Sequence, residues 1–141
     1  MSAPVQISEA ASLAMHSVVF LASRPDRRVP TRQIAAALKA SEAHLSKVLQ
    51  RLGKGGLVRS ARGPGGGFEL AKPAEEIALL EVYEAVEGPL AAPACLFEEP
   101  ICEGPECMLG DRLREANARL RERLAEKKVS ELAHLFAAKA D

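Results

Sequence analysis

The feature that most constrains the fold is a pair of short helical segments that runs almost without a linker into a glycine-rich turn. Thr31 is predicted to cap a helix over Arg32–Lys39, and Ser41 to cap a second helix after a break of one or two residues. Helices joined this tightly, with the small residue Ala40 at the joint, are typical of a helix-turn-helix. The second helix is predicted to end at Gly55-Gly56.

The segment after this pair predicts a β-hairpin. Leu57–Ala61 and Phe68–Ala71 have the composition of strands, and the run Arg62–Gly67 between them, Arg-Gly-Pro-Gly-Gly-Gly, forms the turn. A hairpin directly after a helix-turn-helix is a wing. The predicted fold class is therefore mainly α with a small β-hairpin, a winged helix-turn-helix domain plus a long C-terminal helix.

Apolar residues at helical spacing predict the other helices. These are one capped by Ser8 and stopped at Arg24-Pro25, one over Glu76–Glu87, a long one over Leu109–Lys128, and a short one, capped by Ser130, over Glu131–Lys139. Between Pro89 and Met108 there is no usable periodicity. A segment of this length without regular structure in a compact domain is usually functional or disordered.

The net charge of zero hides an uneven distribution of charge. Residues 1–72 carry eleven lysines and arginines against four acidic residues, whereas residues 73–141 carry eight against fifteen. A basic half joined to an acidic half is expected where only one face of a protein meets a polyanion such as nucleic acid. Charges that merely solvate the surface would give the same counts.

Composition and histidine placement exclude several classes of protein. No stretch is long and apolar enough to span a bilayer, and no basic segment followed by an apolar run begins the chain, so we expect a cytoplasmic protein without a membrane partner. No nucleophile–base constellation is visible and the three histidines are scattered, so no enzyme is predicted.

The outward positions of the helix after Ser41 suit contact with DNA. They are small, polar or basic, as expected of a helix that enters the major groove: Ala43, His44, Ser46, Lys47, Gln50 and Arg51. In the wing, Arg62 stands among glycines, so the backbone can approach a narrow groove and the guanidinium can enter it. The plainer alternatives are an ordinary polar helix surface and a glycine hairpin without a ligand.

Every cysteine of the chain lies between Pro89 and Met108. Cys95, Cys102 and Cys107 have the spacing C-x6-C-x4-C, and three thiols this close in a reducing compartment indicate metal or redox chemistry more than packing. An odd count fits a structural disulfide poorly, and a four-ligand zinc site would lack its C-x2-C pairs. The spacing leaves open an iron–sulfur cluster with a ligand from elsewhere, a thiol switch, a zinc site, and cysteines without a function.

The wing and the helix that follows it carry a family resemblance. The segment Ser60–Ala71, Ser-Ala-Arg-Gly-Pro-Gly-Gly-Gly-Phe-Glu-Leu-Ala, together with Ala74-Glu-Glu-Ile77 and Val82-Tyr-Glu-Ala-Val-Glu-Gly88, closely resembles the winged-helix regulators typified by IscR, NsrR and RsrR. The likeness runs over essentially the whole chain, and the wing is its most specific part.

This resemblance implies a homodimeric transcriptional regulator, most commonly a repressor, that binds a double-stranded DNA operator. It implies an iron–sulfur cluster, [2Fe-2S] or [4Fe-4S], that is held by Cys95, Cys102 and Cys107 and controls DNA binding. It also implies DNA contacts from the helix that begins at Ser41 and from wing residues Arg59, Arg62, Gly63, Gly65 and Gly66.

The sequence departs from the family pattern at the cluster ligands. The middle cysteine is displaced by one residue from the usual C-x5-C-x5-C spacing, and Gly110 stands where IscR-like members have a histidine. Other members take ligands from the first helix of the partner subunit. There His16 matches the histidine position of RsrR-like members, while Ser12, a poor ligand, occupies the NsrR-type carboxylate position. The fourth ligand expected is His16 or, second, Glu9 of the partner; a histidine packed at the dimer interface is the alternative.

The long C-terminal helix has a narrow apolar seam with charged flanks, formed by Leu113, Ala116, Leu120 and Leu124. Such a seam suits pairing with another helix, and in a small chain the natural partner is a second copy, although packing on its own winged-helix domain would also cover it. Three regions are therefore predicted: a DNA-binding domain over 1–88, a cysteine-containing cluster-binding loop over 89–108, and a dimerisation helix with a C-terminal helix over 109–141.

The predicted function is a DNA-binding regulator whose operator affinity is set by a cluster that senses redox state, nitric oxide or cluster supply. The alternative is a winged-helix regulator that uses its cysteines as a thiol switch or zinc site, or has no cofactor. A small iron–sulfur electron carrier or assembly protein is the third possibility, which the wing and the basic N-terminal half disfavour.

Overall fold

A computed structural model describes residues 7–90, 95–97, 99–104, 107–109 and 111–136. Its elements in chain order are α1 Glu9–Ala22, α2 Thr31–Leu38, α3 Glu42–Lys54, β1 Val58–Ala61, β2 Gly67–Leu70, α4 Leu79–Glu87 and α5 Arg112–Glu126, with 3₁₀ turns at Ala74–Glu76 and Val129–Leu135. None of the helices in these ranges combines the length and apolar composition needed to cross a bilayer. The mainly helical winged helix-turn-helix prediction is confirmed.

The helix-turn-helix is formed by α2 and α3, and the joint between them is as short as the sequence predicts. Lys39 adopts the left-handed conformation, with φ of 56°, and the Ala40 amide donates to the Ala35 carbonyl at 2.9 Å. Ser41 caps α3, because its hydroxyl accepts the His44 amide at 3.1 Å. The prediction that Ser41 caps this helix is therefore confirmed.

The predicted cap of α2 is wrong. Thr31 is the first residue of the helix, and Pro30 occupies the cap position without a side-chain cap bond. Proline fits this position because its ring fixes φ near −65° and the cap residue is extended, here at φ −62° and ψ 148°. A cap prediction made from side-chain chemistry alone favoured the threonine.

The wing is a two-stranded antiparallel hairpin that a third segment extends. Arg59 pairs with Glu69 in the register of β1 and β2. Val29, just before α2, forms a bridge to Phe68 with both backbone hydrogen bonds at 2.8 Å. Gly67 is required at this crossing, because a Cβ there would lie 2.5 Å from the Val29 carbonyl, and its φ is 141°.

The core is built around α1, all of which is described. Nine of its residues are buried, among them Ala14, Val18 and Phe20, and the helix packs on α3, α4 and the Val129–Leu135 turn. Ser8 caps α1 as predicted, by accepting the Ala11 amide at 3.0 Å. Because α1 is buried on most sides, it forms a common packing surface for the helix-turn-helix and the C-terminal half of the chain.

The fourth helix begins later than predicted, at Leu79 rather than Glu76. Ile77 is fully buried and extended, and its carbonyl accepts the Val129 amide at 2.8 Å while the Leu79 amide donates to the Lys127 carbonyl at 3.0 Å. This pairing with the C-terminal segment holds the chain extended, so a helix cannot start until Leu79.

The same pairing corrects the terminal helix. The segment after α5 is a 3₁₀ turn over Val129–Leu135 with Lys128, not Ser130, at its cap position, where the Lys128 amide donates to the Glu131 carboxylate at 2.8 Å. The chain is extended at Lys128 because Ala78 bridges to it. The predicted residues after Phe136 lie outside the described ranges.

The C-terminal helix α5 spans Arg112–Glu126, shorter than the predicted 109–128, and most of its residues are exposed. Within α5, all of which is described, Leu124 is the one buried residue, whereas Leu113 and Leu120 are half-buried and Ala116 is exposed. Asn117, and not the predicted Ala116, is the half-buried residue between Leu113 and Leu120. The less exposed side of the helix therefore follows a spacing of four, three and four residues from Leu113 to Leu124. A single copy of the chain therefore leaves most of the seam in contact with solvent.

We expect Ser17→Ala to raise the free energy of unfolding by about 1 kcal/mol, because it removes a buried hydroxyl without a hydrogen-bond partner among the described residues. Alanine also has the higher helix propensity, so Ser46→Ala in the middle of α3 is the control for that gain. Urea unfolding followed by circular dichroism measures both. If Ser17→Ala is no more stabilising than its control, the hydroxyl is already satisfied.

Candidate nucleic-acid interface and cysteine loop

The recognition helix α3 buries one face and exposes the other. Leu45, Val48, Leu49 and Leu52 are buried in the core. Ala43, Lys47 and Gln50 are exposed on the opposite side, and Ser46 is half-buried. An open groove of about 480 Å³ lies between this helix and the wing and is lined by residues of both, including Gln50, Lys54 and Ser60. The structure thus places small, polar and basic side chains together on one accessible surface.

Two of the residues predicted to face DNA lie on the flank of α3 instead of at the centre of its outward face. The His44 ring is 3.7 Å from the Glu9 carboxylate of α1. Arg51 donates from Nη1 to the Val86 carbonyl at the end of α4, at 3.0 Å. Both side chains therefore have partners inside the chain.

The tip of the wing is accessible. Arg62, Gly63 and Gly65 are exposed, and Gly66 is half-buried. Gly63 and Gly65 have φ of 87° and 75°, conformations that favour glycine, and the Gly66 amide donates to the Gly63 carbonyl at 2.8 Å. This tight turn presents the Arg62 side chain to solvent at the far end of the hairpin.

Arg59, predicted as a DNA contact, takes part in a row of three charges across the wing. Its Nε lies 2.8 Å from one Glu69 oxygen, and Arg28 Nε lies 3.2 Å from the other. The hydrogen bond from Arg59 lowers the pKa of Glu69, against a raising effect of burial, and the charge of Arg28 lowers it further. The carboxylate thus contacts both guanidinium groups.

The sequence prediction missed Arg28. The signal was present in the next two residues, because a residue before proline is biased toward the extended conformation and Val29 precedes Pro30. That extended residue makes the bridge to Phe68, which places Arg28 beside Glu69. Without the tertiary pairing, nothing along the chain connects Arg28 with the wing.

The three cysteines are accessible thiols. Cys102 and Cys107 are exposed and Cys95 is half-buried, and they are free of disulfides. The Cys95 sulfur accepts the Phe97 amide at 3.5 Å. In the parts of the chain that the structure describes, no three His, Cys, Asp or Glu side chains are grouped to hold a metal ion. The described segment also exposes large apolar side chains, with Ile101 at 69% and Met108 at 86%.

One ring nitrogen of His16, Nε2, has no hydrogen-bond partner among the described residues. Its Nδ1 lies 2.7 Å from the Ser12 carbonyl oxygen, and because a carbonyl can only accept, Nδ1 carries the proton. In the neutral ring the lone pair is then on Nε2, which is the usual arrangement of a ligating histidine. The ring is exposed and meets the edge of Phe136 at 6.5 Å between centroids. Glu9, the second candidate, is 74% exposed and faces His44.

The donor set fits an iron–sulfur cluster in its chemistry. Three free thiols and an imidazole with an available Nε2 are ligands that iron accepts. Within one chain the described residues do not bring the cysteines and His16 together.

Comparisons with known proteins agree on one family. A family model described as "Rrf2: Iron-dependent Transcriptional regulator" matches residues 7–135. Over 84 residues the chain is 34% identical to the putative HTH-type transcriptional regulator BadM of Rhodopseudomonas palustris, covering 60% of this chain and 54% of that relative. Over 117 residues it is 32% identical to the HTH-type transcriptional regulator NsrR of Shouchella clausii, covering 81% and 78%. The crystal structure of Staphylococcus aureus CymR in its oxidized form matches 97% of this chain and 99% of that one, at a TM-score of 0.73 and 25% identity.

We expect Glu69→Gln to destabilise the protein at neutral pH and to have little effect in acid. The folded-state pKa of Glu69 is lowered from its ordinary value of 4.5, so its charge contributes stability above that pH, and the contribution is lost as the pH falls through the lowered pKa. Urea unfolding of the wild type and of Glu69→Gln, from neutral pH to below 4.5, measures the difference in the free energy of unfolding. Glu122→Gln, at an exposed position of α5, is the control. A difference that does not change with pH would mean that the ion pairs contribute nothing.

Proposed function

The chain belongs to the Rrf2 family of transcriptional regulators. From this we propose that it binds operator DNA in the cytoplasm and acts as a repressor. The family and its relatives are regulators and not enzymes. The observation that carries the proposal is the joint exposure of the α3 outward face and the wing tip. An open groove lies between the C-terminal half of α3 and the strands of the wing. These two surfaces have the residue types that read a duplex.

In this proposal α3 enters the major groove. Exposed Ala43 permits close approach, while Ser46 and Gln50 can read base edges and Lys47 can meet a phosphate. Arg62 extends the contact from the wing into the adjacent minor groove, where a guanidinium is favoured by the negative potential. Ser41 supports these contacts by capping the helix.

We propose that two copies bind together through α5. Leu113 and Leu120 are only half-buried by their own chain, which leaves an apolar seam for a second copy. A two-fold dimer presents two recognition helices, and the operator would then be a palindrome with half-sites one helical turn apart or a multiple of it.

We propose that an iron–sulfur cluster is held by Cys95, Cys102 and Cys107, with Nε2 of His16 from the partner subunit as the fourth ligand and Glu9 as the second candidate. When bound, such a cluster supplies a centre whose charge changes with redox state. The chain supplies the ligands and their surroundings: the Ser12 carbonyl orients His16, and the Phe97 amide donates to the Cys95 sulfur. Exposure of the thiols gives small molecules access to the site.

A thiol switch is the second candidate. It is favoured by the exposure of Cys102 and Cys107 and by the structural relative CymR, whose crystal structure is that of an oxidized form. A zinc site or a regulator without a cofactor would keep the same DNA-binding surface. An electron carrier without an operator would need neither the wing nor the basic half.

We expect Arg62→Ala to weaken binding to duplexes that the wild-type protein selects from a random-sequence pool, by about tenfold or more, because one groove contact is lost. Fluorescence anisotropy gives the Kd, and light scattering shows that the mass of the protein is unchanged. Arg119→Ala, exposed on α5 and away from the seam, is the control. Equal affinity of wild type and Arg62→Ala would remove the wing from the interface.

We expect protein purified without oxygen to be brown and to contain iron and inorganic sulfide, and we expect Cys102→Ala to lose both because a thiolate ligand is missing. His16→Ala should retain less iron, whereas His134→Ala, which removes another exposed histidine, should retain the wild-type amount. Iron and sulfide analysis with visible absorption measures all four proteins. Colourless wild-type protein after anaerobic reconstitution would contradict the cluster and favour the thiol switch.

A further inference from the structure

The C-terminal end of α4 is where the chain leaves the winged-helix domain for the cysteine loop. We call Glu84–Leu90 the loop root. Gly88 ends the helix with φ of 82°, and the Leu90 amide then donates to the Glu84 carboxylate at 2.8 Å, so the first residues after the helix are held against its last turn. Glu87 accepts a hydrogen bond from the Ser8 hydroxyl, which joins the loop root to the start of α1.

One flank of the recognition helix is bonded to the same region. His44 and Arg51 are two turns apart on α3 and point to the same side, away from the centre of the exposed face. His44 faces Glu9, next to the serine that bonds the loop root, and Arg51 donates to the Val86 carbonyl within the loop root. The helix that is proposed to read DNA is therefore in direct contact with the base of the cysteine loop.

The Arg51 bond meets a specific need of α4. The last carbonyls of an α-helix have no partner within the helix and carry partial negative charge, so a cation is stabilising there. Arg51 supplies both a donor and a positive charge to Val86. Lys47, one turn earlier and on the exposed face, has no such partner among the described contacts.

We propose that Arg51 is a positioning residue, which holds α3 against the loop root and passes a displacement of the root to the recognition helix, and that it does not contact DNA phosphates. This rests on the proposed function only in taking α3 as the DNA-reading helix. It separates two basic residues of one helix by role: Lys47 contacts the phosphate backbone, and Arg51 fixes where the helix lies.

Two measurements on Arg51→Met and Lys47→Met test this assignment. By hydrogen exchange with mass spectrometry, Arg51→Met should increase the exchange rate of residues 84–90 several-fold, and Lys47→Met should not change it. The salt dependence of binding to a mixed-sequence duplex should lose about 0.9 from the magnitude of its slope in Lys47→Met, because one phosphate contact is removed, and should be unchanged in Arg51→Met.

Two results would overturn the role assigned to Arg51. Unchanged exchange in Arg51→Met would show that the bond does not hold the loop root, and a smaller salt slope in that variant would make Arg51 a phosphate contact; either overturns the assignment. If the wild-type protein binds no duplex, the proposed function fails, and the exchange measurement still tests the Arg51 bond.

A double-mutant cycle tests the transmission. Glu84→Gln removes the negative charge that accepts the Leu90 amide in the loop root, and it leaves both Arg51 and Val86 unchanged. We expect the combined effect of Glu84→Gln and Arg51→Met on the Kd for duplex DNA to be smaller than the product of the single effects. The reason is that Glu84→Gln reaches α3 through the bond between Arg51 and Val86, which Arg51→Met has already removed. When Glu84→Gln is combined with Lys47→Met, the effect on the Kd should equal the product of the two single effects. A simple product in both cycles would overturn the transmission.

Discussion

The burial of α1 is the constraint on which the other parts of the structure depend. A helix with this many buried residues has to be covered on several sides, and α3, α4 and the C-terminal turn cover it. Its small residues, with Ala11 and Ala14 at no exposure, allow these elements to approach closely. The recognition helix α3 and the helix α4 both pack on α1, and they also contact each other directly.

Two polar contacts join the end of α4 to its neighbours in the fold. Ser8, at the start of α1, donates to the Glu87 carboxylate at the end of α4. Arg51 of α3 donates to the Val86 carbonyl, which is one of the carbonyls that a helix end leaves without a partner in the helix. The contacts are concentrated at the loop root and leave the outward face of α3 free. A regulator in which a chemical change in the loop alters DNA affinity needs such a connection. A ligand that binds two conformations equally well does not change the equilibrium between them.

Three arginines in and beside the wing differ in whether they have an acidic partner among the described residues. Arg28 and Arg59 share the Glu69 carboxylate, so part of the positive charge of the wing is neutralised near its base. Arg62 lies at the exposed tip. This arrangement concentrates unpaired charge where the hairpin can extend furthest, and it shows why a count of basic residues along a sequence does not locate an interface.

The sequence by itself determined the helix-turn-helix, the wing, the order of the helices and the family, because capping residues, glycines and apolar periodicity act over a few residues. The winged-helix resemblance is confirmed by the family match. Only the tertiary structure decided the elements that depend on distant partners: the start of α4 at Leu79, the 3₁₀ turn after Lys128, the bridge of Val29 to the wing, and the bond from Arg51 to Val86. Each is a contact between residues far apart in the chain, and no local propensity encodes it.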